Sequence, residues 1–99
     1  GESVVEAILT LVRAGRRETS QLSEVQRHVA WGPGPRAAQA LMLATRARAL
    51  LDGRLSPSVD DVAALAPPIL RHRMALSYSA RADGVSVDHV IARLIGMLG

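Results

Sequence analysis

The position in this sequence best suited to chemistry is Arg36. It follows the run Trp31-Gly32-Pro33-Gly34-Pro35 and opens a long Ala- and Leu-rich stretch. Pro35 suits the first position of a helix, because the N–H it lacks would be unsatisfied there anyway. Arg36 then falls in the first helical turn. Free backbone N–H groups and the positive end of the helix dipole favour an anion at that point and disfavour a cation. A guanidinium added to such a terminus makes it anion-seeking, and its forked donors suit a phosphate. The plain alternative is a solvated surface arginine that tolerates a small dipole cost.

Other reactive combinations are scarce. His28, His72 and His89 lack metal-ligand spacing and Cys partners, so no metal site is expected. His72 is expected to be half-buried, on one helical face with Ile69 and Leu76. Asp60 and Asp61 diverge by about 100° around a helix, and a first-turn position accounts for both. All 12 cationic residues are Arg and none is Lys. A Walker A loop and Schiff-base chemistry both need Lys and are excluded. Lacking Cys, the chain has neither disulfides nor thiolate metal sites. The chain alone is therefore expected to be inactive as an enzyme. No apolar run approaches the length of a membrane span, and the N-terminus does not read as a signal peptide, so a cytoplasmic setting is expected. The net charge of +3 permits an anionic partner without demanding one. The Ala- and Arg-rich, Lys-free usage points to a GC-rich bacterial genome.

These 99 residues, 48% hydrophobic with no Phe, one Trp and one Tyr, suffice for one aliphatic core. Ser3 and Glu6 are spaced as a capping box for a first helix. Val5, Ile8, Leu9 and Val12 form its apolar stripe, and Gly15 is its C′ residue. Arg13, Arg16 and Arg17 follow at the negative end of the dipole. A short helix is expected over 21–30 with Ser20 as cap. The Gly/Pro run then predicts a tight, rigid loop whose backbone another segment approaches closely. From Pro35 a long helix presents Ala37, Ala40, Leu41, Ala44, Ala47 and Leu51. Gly53 closes it, and Arg48 pairs with Asp52 within it. Ser58 and Ser86 each cap a further helix, with Asp in the first turn. The first of these should stop near Ala66 before Pro67-Pro68, a new helix should run from Pro68 to Leu76, and residues 77–85 should be a turn. The last helix buries Val90, Ile91, Leu94, Ile95 and Leu98. No segment shows sustained two-residue alternation. The expected fold is all-α, a compact bundle of five or six helices forming a single domain over residues 1–99.

Five ordered motifs resemble the C-terminal lid, the small helical subdomain, of MoxR-type AAA+ ATPases. Trp31-Gly32-Pro33-Gly34-Pro35-Arg36-Ala37 is similar to that family's WGxGPRA form, with Pro33 where Ala is frequent. Ala47-Arg48-Ala49-Leu50-Leu51-Asp52-Gly53-Arg54 resembles its ARALLxGR segment. Ser56-Pro57-Ser58 with Asp61-Val62 resembles its TPSxxDV helix start, and Pro68-Ile69-Leu70-Arg71-His72-Arg73 its PVLRHR signature. Val12-Arg13-Ala14-Gly15-Arg16 is similar to VRATR, with Gly15 in place of Thr. Each motif alone is weak; their order and spacing over nearly the whole chain are specific.

The resemblance implies a lid whose ATP-binding α/β core, with its Walker motifs, lies upstream. It implies for Arg36 the sensor 2 role, reaching the γ-phosphate of ATP, with Gly34 and Pro35 beside the nucleotide. ATP and Mg²⁺ would be the cofactors of the full-length protein. A homo-hexameric ring, a chaperone-like maturation function and von Willebrand factor A-domain partners are further implications. Trp31 is expected to be a core plug, with a place near the nucleotide base as the other reading. Arg71 and Arg73 either face a neighbouring subunit or hold the surface of a Pro-started helix. The remaining alternative is a small basic helical module that binds nucleic acid or another protein, suggested by the sequence pI of about 11.0. Against the nucleic-acid reading, no helix carries a dense basic face, and aromatics for stacking are missing.

Overall fold

The computed structural model describes residues 2–98. Its elements run α1 (Glu2–Gly15), α2 (Ser23–His28), β1 (Val29–Trp31), α3 (Pro35–Leu51), α4 (Val59–Leu70), β2 (Ala75–Leu76), α5 (Tyr78–Ala82) and α6 (Val87–Ile95), followed by a 3-10 turn, Gly96–Leu98. The expected helical bundle is present, with six α-helices among the described residues. The sequence reading missed one feature, an antiparallel two-stranded sheet of β1 and β2.

The core lies where α1, α3, α4 and α6 pack on one another. Val4, Ile8 and Leu11 of α1 meet Ala37 and Leu41 of α3, Val62, Ala66 and Leu70 of α4, and Val90, Ile91 and Leu94 of α6. Fully burying one such Leu or Ile contributes roughly 1.5–3 kcal/mol, so an aliphatic core of this size can hold a short chain together. The α1 stripe is rotated from its expected position. Helix α1 already includes Glu2, which places Ser3 inside the helix and not at its cap. Val5 and Leu9 are exposed while Val4, Ala7 and Leu11 are buried. Gly15 ends α1 without a left-handed φ; only Gly53 and Gly84 have one among the described residues. Helix α2 is shorter than expected, because Val29 leaves the helix for the sheet. Ser20 does not cap it but accepts a hydrogen bond from the Leu22 N–H.

Helix α3 has two apolar sides. Ala37, Leu41, Thr45 and Ala49 recur every four residues and face the core. The Thr45 hydroxyl is satisfied there by donating to the Leu41 carbonyl at 2.7 Å. Ala47 and Leu51, expected on the core face, instead lie outside, with Leu51 90% exposed. Leu43 and Leu50 are exposed as well, and Leu55 beyond the helix is fully so.

Helix α4 runs unbroken through Pro67 and Pro68, contrary to the expected stop. The carbonyls deprived of a donor are those of Ala63 and Ala64. Ala63, Ala64, Pro67 and Pro68 share the outer side of the helix, while Val62, Ala66 and Leu70 are buried opposite. Core packing before and after the prolines thus holds the helix through the two lost hydrogen bonds. The segment after Leu70 is accordingly a turn and a strand, not a second helix. Within 77–85, Ser77 accepts a hydrogen bond from the Ala80 N–H and starts α5, where only a turn was expected. Ser77 also ties α5 to α2: its N–H donates to the His28 carbonyl and its hydroxyl to that of Arg27. A His28–Asp83 hydrogen bond of 2.9 Å closes the same seam and lowers the Asp83 carboxyl below its ordinary value.

The α3–α4 hairpin is locked by Asp61. Only 2% exposed, its carboxylate accepts both terminal nitrogens of Arg54 at 2.7 Å, Arg48 Nε at 3.0 Å and the Ser58 N–H at 2.7 Å. Ser58 and Asp61 thereby complete a capping box. Arg48 goes to Asp61 and not to Asp52, which pairs with Arg54 instead. The Arg54 guanidinium, with the Ser58 N–H second, holds the Asp61 carboxyl far below the usual carboxylate range. A carboxyl depressed on folding gives its full stabilisation above its unfolded value of about 4, and loses it as pH falls from there toward the native value. Asp61→Asn is expected to lower the unfolding midpoint at neutral pH and to flatten the loss of stability below about pH 4. Denaturant melts across the acid range check this; an acid limb identical to the parent's would remove Asp61 as its origin.

Candidate functional site

Strand β1 leads directly into the Gly/Pro loop, and β2 follows the turn after α4. Their pairing sets Val29 against Leu76 and Trp31 against Ala75. It therefore brings Arg73 and the loop before α3 to one place, although they are far apart in sequence. The register is irregular between Val29 and Trp31. The irregularity breaks the usual alternation, so Val29 is buried while Trp31 turns outward. Trp31 is 55% exposed and is not a core plug.

The loop is tight for a specific reason. A Cβ built on Gly32 would lie 2.1 Å from the Gly15 carbonyl oxygen, so only glycine fits where the loop crosses the end of α1. Pro33 is buried, and Gly15 lies under its ring: a Cβ there would sit 3.0 Å from Pro33 Cδ. The close approach expected at this loop is thus with α1. Gly34 is different. Its backbone is extended, with φ −104° and ψ −167°, and its Cβ direction is open. It occupies the N-cap of α3 without supplying a side-chain bond, and Pro35 takes the first turn as expected.

These elements frame a surface cleft of about 410 Å³, lined by Trp31, Gly32, Gly34, Arg36, Ala37, His72 and Arg73. Gly34 and Arg36 of the expected site meet here; Pro35 sets the start of the helix without lining the cleft. Arg36 is exposed in the first turn of α3, which contains no acidic residue. Among the described residues, Arg16, Arg27, Arg48, Arg54, Arg71 and Arg93 are paired with a carboxylate; Arg36 and Arg73 are not, nor are Arg13, Arg17, Arg46 and Arg81, which lie outside this cleft. Arg71 donates from Nε to Asp88 at 2.8 Å, which binds the end of α4 to the start of α6. His72 is exposed on the turn beyond α4, not half-buried on a helix. Sequence reasoning left the roles of Arg71 and Arg73 open, and geometry separates them. No group of three or more His, Asp or Glu among the described residues is placed to hold a metal ion. No helix among them is long and apolar enough to cross a membrane.

The helix order, the loop and the two capped helices have counterparts among known proteins. A family model described as the AAA lid domain matches residues 21–94, and the chain belongs to that family. The particular kind of lid is the MoxR type. The chain is 36% identical over 94 residues to Chaperone MoxR1 of Mycobacterium tuberculosis, a match covering 94% of this chain and 25% of that protein. It is 33% identical to the uncharacterized protein YeaC of Bacillus subtilis over 95% of this chain and 27% of that one. A crystal structure of a "putative ATPase" from Cytophaga hutchinsonii superposes with a TM-score of 0.89 at 30% identity, over 97% of this chain and 29% of the other. The chain thus spans about a quarter of the length of the curated relatives it matches.

The same substitution at the two loop glycines should act oppositely. Gly32→Ser is expected to cost about 1–3 kcal/mol, since backbone must move to admit a Cβ. Gly34→Ser should gain a few tenths of a kcal/mol by adding a hydroxyl N-cap. Urea unfolding of both variants provides the check. Equal effects at the two positions would contradict the close crossing at Gly32.

Proposed function

We propose that this chain is the lid of an ATP-hydrolysing, chaperone-like MoxR machine, and that Arg36 is its sensor 2 arginine. The observation that carries the reading is an unpaired guanidinium in the first turn of α3, where the helix dipole favours an anion. Family membership and the MoxR1 relative support the same assignment. The ATP-binding core, with ATP and Mg²⁺, belongs to another part of the polypeptide. Arg36 reaches from the lid to the terminal phosphate and senses its presence. Gly34 leaves the start of α3 uncovered, so backbone N–H groups can stand beside the phosphates, and Pro35 fixes where that helix begins. Hydrolysis removes the group that Arg36 contacts, so the lid relaxes relative to the core. In a homo-hexameric ring that motion would change subunit packing and be passed to client or von Willebrand factor A-domain partners. The setting is the bacterial cytoplasm, and the chain by itself turns over no ATP.

The test uses the whole ATPase. Arg36→Ala removes one charge-assisted contact worth on the order of 1.5–3 kcal/mol. Turnover should fall roughly tenfold to a hundredfold if the contact strengthens in the transition state. ADP binding should change much less, and Arg36→Lys should rescue only in part because a point charge cannot reproduce the planar fork. Arg71→Ala is the control, since Arg71 is engaged with Asp88. Steady-state rates and nucleotide affinities decide the matter: parent-like ATP hydrolysis and binding by Arg36→Ala would make Arg36 a surface residue.

A further inference from the structure

The stretch Arg71-His72-Arg73 is conspicuous in the sequence, and the sensor reading of Arg36 does not use it. The three side chains have separate surroundings. Arg71 is held by Asp88. His72 and Arg73 line the same cleft as Arg36, together with exposed Trp31. Arg73 is held in register there: its N–H donates to the Leu70 carbonyl at 2.9 Å, Met74 beside it is buried, and Ala75 pairs with Trp31. No acidic residue lines the cleft. Two guanidiniums facing one concavity repel each other in the absence of an anion, and neither has a carboxylate among the described residues. Neighbouring Arg71 shows that this segment can pair with a carboxylate where a purely structural bond is made.

We infer that Arg73 is a second phosphate-contacting residue of the Arg36 cleft, joining the oxyanions of a bound nucleotide from the side opposite α3. The inference rests on the reading of this cleft as the nucleotide-facing side of the lid, and adds to it a contact from the α4–β2 turn. Two forks from different elements can grip adjacent phosphoryl groups, which a single cation cannot do. The two-stranded sheet is then what holds the second fork in place.

Trp31 is the only Trp in the chain and lies in the cleft, so its fluorescence reports occupancy directly. The 99-residue chain, which carries its own core, is titrated with inorganic tripolyphosphate and with ATP, against sodium chloride of matched ionic strength. Saturable change in Trp31 emission by tripolyphosphate is expected for the parent. Arg73→Ala should weaken it about tenfold, Arg73→Lys less, and Arg71→Ala not at all. Arg73 is exposed, so circular dichroism melts of the variants should match the parent. If Arg36→Ala weakens binding and Arg73→Ala does not, the inference falls while the sensor reading stands. If only Arg73→Ala weakens it, Arg73 holds phosphate without Arg36 and the two-fork cleft is overturned, while the sensor reading is decided by the whole ATPase. A parent that responds no more than to sodium chloride overturns the inference. So does a single-stranded oligonucleotide that saturates the signal at lower phosphate concentration than tripolyphosphate, since the cleft would then serve a polymer.

Discussion

The end of α1 and the loop before α3 cross at backbone distance, and the architecture around the cleft depends on that crossing. Gly32 passes over the Gly15 carbonyl too closely for any side chain, and Pro33 lies buried against Gly15. The crossing fixes where the loop leaves α1, and so the point at which Pro35 begins α3. One residue further on stands Arg36. Nothing in this arrangement depends on a long-range ion pair. It is a steric constraint, enforced by two residues without a side chain, Gly15 and Gly32, and one with a closed ring, Pro33. The sheet adds a second constraint from the other direction, carrying the turn that bears Arg73 up to the same loop.

At the far end of α3 a different kind of interaction does the holding. Asp61 gathers Arg48 and Arg54 and caps α4 at once, so one carboxylate joins two helices and the connection between them. Breaking a buried carboxylate from its partners is more damaging than the modest net worth of such a pair suggests, because the desolvated group is left without compensation. The hairpin therefore resists opening even though the leucines around its tip, Leu50, Leu51 and Leu55, are mostly exposed.

The helical architecture and the position of Arg36 were legible because both follow from local rules. Pro at N1, Ser at an N-cap and Gly with positive φ after a helix act within one turn, and Pro35, Ser58, Ser86 and Gly53 each appear as those rules require. Some of the misreadings come from tertiary contact overriding a local signal, and others from the absence of any local signal. Pro67 and Pro68 read as a break, yet packing on the opposite side of α4 carries the helix through them. A strand of three residues paired with one of two has no periodicity to detect. Trp31 reads as core by type, and only the irregular register shows that it turns outward. In α3 alanine and leucine occupy both sides, so the pattern does not distinguish the side facing α1 and α4 from the side facing solvent. Asp61 looked like half of an ordinary helix start; nothing nearby in sequence marks it as the centre of an ion cluster. Arg73 could not be separated from Arg71, since the difference lies in Asp88 and Trp31, distant residues on other elements.

The molecule is long for its mass, 45 Å by 23 Å by 20 Å. Helix α3 has 17 residues, which at 1.5 Å per residue is roughly 25 Å of rod. Its first turn belongs to the cleft and its last to the Asp61-braced hairpin. A rigid rod pivoting at one end converts angle into travel. About ten degrees of tilt at the cleft would carry the hairpin tip through about 4 Å, the width of a side-chain contact. Were the lid to tilt about the cleft, the braced hairpin would act as a lever arm, with the bare leucines at its tip where the stroke is largest.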